Sequence, residues 1–159
     1  MIAAVCMRGQ CPEKNMYLCY MQLTGTQIKH ITDRLREAYP GVAFAYIFGS
    51  AANNTMKQSS DIDLAVYLDS GVDKPALVAG IIGDVEDILQ GRSCDLVILN
   101  EADPLLAFEA ISGRKLFVRQ TAIDNHAAFY SLTCRLSEDQ RVWMKKQLAY
   151  RGYEVQWDH

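Results

Sequence analysis

Two aspartates separated by a single residue are the first feature of this sequence that could carry chemistry. Asp61 and Asp63 lie at the start of an apolar stretch, and on an extended chain alternate side chains project to the same face. Two carboxylates held so close repel each other unless a cation lies between them. Because oxygen ligands suit magnesium, the pair predicts a divalent metal site. The alternative is that both acids are simply exposed at the entrance to a strand.

Two further features favour the metal site. Gly49-Ser50 directly follows an apolar run and is separated from Asp61 by ten residues. At such a strand end, backbone N–H groups and a hydroxyl can bind phosphate oxygens. Asp95 is a third acid inside an apolar run, where burial without a partner would cost on the order of several kcal/mol, so we expect it to join Asp61 and Asp63 around metal. Three acids beside a phosphate cradle are typical of metal-assisted nucleotidyl transfer.

The hydrophobic pattern predicts the elements that would position these residues. The continuous apolar run 42–48 predicts a buried strand, because it is rich in β-branched and aromatic residues. Further strands are predicted over 61–68, 93–99 and 115–118. Helical spacing predicts helices over 27–38 with Thr26 as a possible cap, 74–89, from Pro104 onward, 122–135, and 138–151 with Ser137 as the cap. This order predicts an α/β (α+β) fold, a small mixed sheet with flanking helices and a helical C-terminus.

The amino-acid composition of the chain disfavours several classes of function. The net charge of −3 disfavours direct binding to nucleic-acid phosphates. No window approaches the roughly 18 uninterrupted apolar residues of a transmembrane helix, so no membrane association is expected. The five cysteines form no C-x-x-C pair, which favours free thiols in a reducing cytoplasm. Residues 1–20 fit no periodic pattern, and we expect them to be an N-terminal appendage to a single domain over 21–159.

Gly49-Ser50, ten intervening residues and Asp61-Ile62-Asp63 closely resemble the signature of the polymerase-β-like nucleotidyltransferase superfamily. The short chain resembles its minimal nucleotidyltransferases (MNT), antitoxins of HEPN/MNT toxin–antitoxin pairs. The resemblance covers about 27–118, which it implies is the catalytic core of a nucleotidyltransferase fold, followed by C-terminal helices over about 120–151.

The resemblance also implies a role for each motif residue. Gly49 and Ser50 would hold the β- and γ-phosphates of a nucleoside triphosphate. Asp61, Asp63 and Asp95 would be the metal ligands and catalytic residues for two Mg²⁺ ions, and Asp95 would take the proton from the attacking hydroxyl. The implied activity is type VII-like protein adenylylation, in which AMP passes from ATP to a tyrosine hydroxyl of a partner HEPN ribonuclease toxin and neutralises it.

One motif position departs from the family pattern. Many members have Ala-Arg-Gly after the Gly-Ser-x motif, whereas here Ala52 is followed by Asn53-Asn54. The change removes a basic residue near the triphosphate. Lys57 is either its substitute or an ordinary surface lysine.

Two other functions remain open from the sequence. The same acids could serve a small-molecule nucleotidyltransferase of the antibiotic-modifying kind, although such enzymes typically carry an additional helical domain and only about forty residues follow Val118. The chain could also be a non-catalytic antitoxin that neutralises its partner by contact alone. The aromatic residues near the C-terminus, Tyr153 and Trp157, are candidate anchors for such a partner.

Overall fold

The computed structural model describes residues 22–53, 55–57 and 60–153 of the chain. The helices and strands are α1 (Gly25–Ala38), β1 (Val42–Phe48), α2 (Gly49–Ala52), β2 (Ile62–Leu68), α3 (Lys74–Ile88), β3 (Cys94–Ile98), α4 (Pro104–Ser112), β4 (Arg114–Val118), a 3₁₀ turn over Gln120–Ala122, and α5 (Ile123–Tyr150). The predicted α+β class is confirmed.

The four strands form one mixed sheet in the order β3-β2-β1-β4. β1 pairs antiparallel with both β2 and β4, whereas β2 and β3 run parallel. The parallel pair requires a crossover, which α3 supplies. Because β1 is central and covered on both faces, all seven of its residues are buried, as its apolar run predicts.

Each face of the sheet has its own apolar cluster. Ile47, Leu64 and Val66 belong to the cluster that also contains residues of α1, α2 and α3. The neighbouring strand residues Phe44, Tyr46 and Ala65 belong to the cluster on the other face, with residues of α4. This alternation decides which side chains of β2 and β3 face the same way.

The first helix begins earlier than the sequence pattern predicts. Thr24, and not Thr26, is the N-cap: its hydroxyl accepts a hydrogen bond from the Gln27 backbone N–H, and the Gln27 side chain accepts one from the Thr24 N–H. This reciprocal pair is a capping box, which satisfies two N–H groups that have no partner within the helix.

The C-terminal region differs more from its prediction. The two predicted helices are one helix, α5, which continues through Ser137. Ser137 does not cap a helix, because its hydroxyl donates to the Cys134 carbonyl within α5 and the residue is buried. No glycine or proline occurs between Ile123 and Tyr150, so nothing in the backbone forces a break.

Two predictions concern residues that lie partly or wholly outside the part of the chain that the structure describes. The appendage over 1–20 and Trp157 lie outside the described residues. Tyr153 is described and is 62% exposed.

Candidate active site

The candidate site lies at one edge of the sheet, where β1 ends and β2 and β3 begin. Gly49 directly follows Phe48, the last residue of β1, and is the first residue of α2, so the strand passes into the helix with no linker. Gly49 has a φ of +61°, and a Cβ there would lie 2.2 Å from Asp63 Oδ2. Only glycine allows both the left-handed backbone and the close approach of the Asp63 carboxylate. The Gly-Ser motif and the second aspartate are therefore in direct contact.

The strand register brings the predicted acids together. Asp63 pairs with Phe48 of β1 on one side and with Asp95 of β3 on the other. Ile62 and Leu64 point into the cluster of α1 and α3, so Asp63 projects to the opposite face of the sheet, the face covered by α4. Cys94 and Leu96 point the same way as Ile62, which places Asp95 beside Asp63 on that face.

Two details of the acids differ from expectation. β2 begins at Ile62, so Asp61 is an exposed residue just before the strand and not its first residue. Asp95 is exposed and not buried, and it lies on β3, one of the two edge strands of the sheet. Burial therefore gives no reason for Asp95 to need a metal.

The surroundings of Asp63 disfavour the charged form of its carboxyl group. Burial raises its pKa above the usual value, and the charges of Asp95, Glu109 and Asp61, in that order, raise it further. A group surrounded by like charges favours protonation unless a cation compensates. Asp61 and Asp95 therefore lie within electrostatic reach of Asp63.

The donor set fits a hard divalent cation, because the three charged groups that raise the pKa of Asp63 are all carboxylates. Within the described residues, no three His, Cys, Asp or Glu side chains converge on one point as metal ligands. A cation at this edge is therefore supported by the charge of the acids and not by a preformed set of ligands.

Three residues of this edge carry no motif in the sequence. Glu109 of α4 contributes charge to the Asp63 carboxylate. Arg92 donates to the backbone carbonyls of Ser60 (3.1 Å) and Lys57 (3.4 Å), so it holds the residue directly before Asp61. At Gly113, a Cβ would lie 2.4 Å from the Ile47 carbonyl oxygen, so only glycine lets the chain pass so close to the end of β1. None of these could be found from the sequence alone, since each acts through a tertiary contact.

Comparison with known proteins identifies the family of this chain. Residues 27–122 match the family described as Polymerase beta, Nucleotidyltransferase. Because the match spans more than half of the 159 residues, the chain belongs to this nucleotidyltransferase family. No curated protein matches the chain.

Solved structures with a similar fold come from toxin–antitoxin complexes. A chain of a toxin–antitoxin with AMP-PNP is 25% identical with a TM-score of 0.61, and the match covers 79% of this chain and 96% of that one. A chain from a mutant of the toxin–antitoxin that includes MntA is 26% identical with a TM-score of 0.58, over 82% and 98%. A chain from a tri-AMPylated Shewanella oneidensis HEPN toxin in complex with MNT antitoxin is 23% identical with a TM-score of 0.57, over 80% and 95%, and shows likeness of fold.

Among the described helices, none combines the length and apolar character needed to cross a bilayer.

Proposed function

We propose that this protein is an antitoxin that acts as a protein adenylyltransferase, transferring AMP from ATP to a tyrosine hydroxyl of a partner HEPN ribonuclease toxin. The observation that carries the proposal is the position of Asp63: its carboxylate lies against Gly49, and the strand register pairs it with Asp95 of β3. A phosphate-binding turn and a cluster of acids at one strand edge are what transfer from a nucleoside triphosphate requires.

We assign the roles as follows. Gly49 and Ser50, at the end of β1, would bind the β- and γ-phosphates. Asp61, Asp63 and Asp95 would hold two Mg²⁺ ions, which when bound would offset the triphosphate charge and polarise the α-phosphate. Asp95 would accept the proton from the attacking hydroxyl. The hydroxyl oxygen then forms its bond to the α-phosphorus, the bond to the β-phosphate oxygen breaks, and pyrophosphate leaves.

The donor and acceptor are suggested by the similar structures. One of them is a toxin–antitoxin with AMP-PNP, an ATP analogue, and another contains a HEPN toxin that carries three AMP groups. These features support ATP as the donor and a HEPN toxin as the acceptor for this chain. The cytoplasmic location stays a prediction from the sequence.

The proposal is tested by incubating the purified protein with ATP labelled at the α-phosphate, magnesium and a HEPN toxin, with a tyrosine-to-phenylalanine series in the toxin to find the acceptor. We expect label on the toxin, its loss on chelation of the metal, and its loss with one of the tyrosine variants. In a parallel reaction that contains an aminoglycoside, label on the aminoglycoside and none on the toxin would instead favour the small-molecule enzyme. Neutralisation of the toxin without any label would favour the non-catalytic antitoxin.

A further inference from the structure

Asp61 differs from the other two acids of the candidate site because it lies outside a strand. β2 begins at Ile62, so Asp61 is an exposed residue just before it, whereas Asp63 and Asp95 lie within β2 and β3. The backbone of a residue moves only by rotation between its two rigid peptide groups. The position of the Asp61 carboxylate therefore depends on what holds the peptide groups on either side of it.

Both of these peptide groups are hydrogen-bonded to consecutive residues of the segment that leads into β3. The Ser60 carbonyl, on the N-terminal side of Asp61, accepts a hydrogen bond from Arg92 Nη1 at 3.1 Å. The Ile62 N–H, on the C-terminal side, donates to the Ser93 carbonyl at 3.0 Å. Because the two bonds fix the peptide planes before and after it, the Asp61 backbone is held in one orientation.

Arg92 binds a part of the chain that is also closed on itself. Its Nη1 donates to the Lys57 carbonyl at 3.4 Å in addition to the Ser60 carbonyl. Two further bonds join Lys57 to Ser60: the Ser60 N–H donates to the Lys57 carbonyl (3.1 Å), and the Lys57 N–H donates to the Ser60 hydroxyl (2.9 Å). The guanidinium therefore connects this closed pair of residues to the segment before β3.

The segment that carries Arg92 is itself fixed to α3. The helix is followed by two residues with left-handed backbone, Gln90 (φ +59°) and Gly91 (φ +85°). The Gly91 N–H donates to the Glu86 carbonyl (2.8 Å), and the Cys94 N–H donates to the Glu86 carboxylate (3.2 Å). Glu86 thus holds the chain on both sides of Arg92. The arginine is half-buried, so water competes less for its hydrogen bonds.

The electrostatics of the site give a reason why Asp61 needs this support. Burial first, and then the charges of Asp95, Glu109 and Asp61, raise the pKa of Asp63. Asp61 is therefore close enough to Asp63 for the two carboxylates to repel each other. Because Asp61 is exposed, this repulsion favours movement of its side chain into solvent unless the backbone limits that movement.

We propose that Arg92 is a positioning residue for the candidate metal site: by binding the Ser60 carbonyl, it holds Asp61 where its carboxylate can bind a divalent cation together with Asp63. This inference rests on the proposed function, which assigns these acids to the metal. An arginine suits the role because its guanidinium donates several hydrogen bonds in a fixed planar geometry.

Positioning by Arg92 and the charge of Arg92 have opposite effects on the binding of a cation. The positive charge by itself repels a cation, so a variant that lost only this charge would bind the cation more tightly. A variant that lost the support of Asp61 would bind it more weakly. The sign of the change therefore distinguishes the two effects.

The test is titration of the full chain with Mn²⁺ alone, in which electron paramagnetic resonance measures the free ion. We expect Arg92→Gln to weaken Mn²⁺ binding about 10-fold, the scale on which groups that orient metal ligands change affinity. Arg92→Lys should recover part of this loss, since an ammonium group can still donate to a carbonyl.

Arg119→Gln is the matched control. Arg119 also donates to main-chain carbonyls, those of Val42, Arg36 and Tyr39, but it does so at the opposite end of β1 from Gly49. The substitution should lower the melting temperature and leave the Mn²⁺ affinity within about twofold of wild type. An equal loss of Mn²⁺ affinity in both arginine variants would show a general loss of structure and contradict the positioning role.

A double variant tests whether Arg92 acts through Asp61. In an Asp61→Asn background, Arg92→Gln should cause no further loss of Mn²⁺ affinity, because no carboxylate is left at position 61 to be held. A loss of the same size in both backgrounds would show that Arg92 acts on the cation by another route.

The remaining outcomes separate this inference from the proposed function. Unchanged or tighter Mn²⁺ binding in folded Arg92→Gln would overturn the positioning role and leave the proposed transfer intact. Mn²⁺ binding that depends on Arg92, in a protein that labels no toxin, would support the positioning role and refute the transfer. If wild type binds no Mn²⁺, the inference is wrong, and labelling of the toxin decides the transfer separately.

A thermal melt shows whether each variant is folded. Should Arg92→Gln fail to fold, Arg92→Lys takes its place in the titration, and wild-type Mn²⁺ affinity in that variant would overturn the positioning role.

Discussion

Asp63 and Asp84 are aspartates of one domain in opposite electrostatic surroundings. Asp84, on α3, accepts hydrogen bonds from Arg34 Nε (2.8 Å) and Nη2 (3.0 Å) and from the Tyr39 hydroxyl. These bonds hold the pKa of Asp84 below its usual range, and the bond from Arg34 has a larger effect than the bond from Tyr39. At Asp63, burial and three further carboxylates raise the pKa.

The contrast separates a carboxylate that stabilises the fold from one that the proposed function assigns to ligand binding. Ionised Asp84 is satisfied by the protein itself and joins α1 to α3. Ionised Asp63 is opposed by its own surroundings, which is a cost to the folded state unless a cation is bound. If the proposed function is correct, the same residue type serves stability at Asp84 and chemistry at Asp63, and substitutions should show this division.

The largest effect is expected from Asp63→Asn. Transfer of AMP should fall by about 1,000-fold or more, because the amide cannot replace a carboxylate beside the phosphates. The stability of the protein without ligand should be unchanged or higher, since the substitution removes one of several mutually repelling charges. Kinetics and chemical denaturation measure the two effects.

Asp69→Asn is the matched control for that substitution. Asp69 is exposed just beyond the opposite end of β2, so both activity and stability should stay close to wild type. If Asp63→Asn instead unfolded the protein, Asp63 would be a structural residue like Asp84.

The next effect concerns the backbone beside Asp63. Gly49→Ala should reduce transfer about 100-fold and lower the free energy of unfolding by about 1–3 kcal/mol, because the new Cβ displaces the carboxylate and the left-handed backbone is strained. Gly71 shares a positive φ of +83°, but a Cβ at that position would meet no atom within 4 Å. Gly71→Ala should therefore cost only the backbone strain, about 1 kcal/mol, with full activity. Equal activity losses in the two variants would rule out the contact with Asp63 as the cause.

Asp84→Asn should show the reverse of Asp63→Asn. We expect a loss of about 1 kcal/mol in unfolding free energy at pH 7, a modest value because Arg34 is half exposed and solvent screens the pair. Transfer activity should stay within about twofold. Because the folded-state pKa is depressed, this stability is present above the ordinary value of 3.8 and is lost as the pH falls through the folded pKa. The difference in unfolding free energy between wild type and variant should therefore shrink progressively as the pH is lowered from 3.8, and a constant difference would contradict the assignment.

Tyr39→Phe should have the smallest effect, about 0.5–1 kcal/mol, since it removes one hydrogen bond to Asp84 and keeps the ring. The pKa of Tyr39 is raised to about 12, mainly by burial and next by the hydrogen bond to Asp84. The hydroxyl therefore remains protonated, and able to donate, throughout the physiological pH range. A thermal melt of Tyr39→Phe with and without Asp84→Asn measures the coupling. Strictly additive losses would mean that the two side chains do not interact.

The sequence predicts the residues of the candidate site better than it predicts the ion pair between α1 and α3. Asp61, Asp63 and Gly49-Ser50 can be found because their spacing is local and their chemistry needs those residue types. Arg34 and Asp84 are 50 positions apart, so only the packing of α1 on α3 reveals their pairing. Glu109 and Gly113 cannot be found from the sequence for the same reason.

The sequence also predicts strands better than helix ends. The core strand β1 is predicted with its observed bounds because its apolar run is continuous and bordered by glycines. The predicted division of α5 at Ser137 is wrong, since a serine followed by an acid resembles a cap, whereas in the folded chain the Ser137 hydroxyl bonds within the helix.

The most direct test of neutralisation by catalysis is the mass of a HEPN toxin purified after co-expression with wild-type protein or with Asp63→Asn at equal levels. We expect that cells with wild-type protein survive and that their toxin gains the mass of one or more AMP units. Cells with Asp63→Asn should be unprotected, and their toxin should keep its unmodified mass. Full protection by Asp63→Asn with a toxin of unchanged mass would show that contact alone neutralises the toxin, and would contradict the proposed adenylyl transfer.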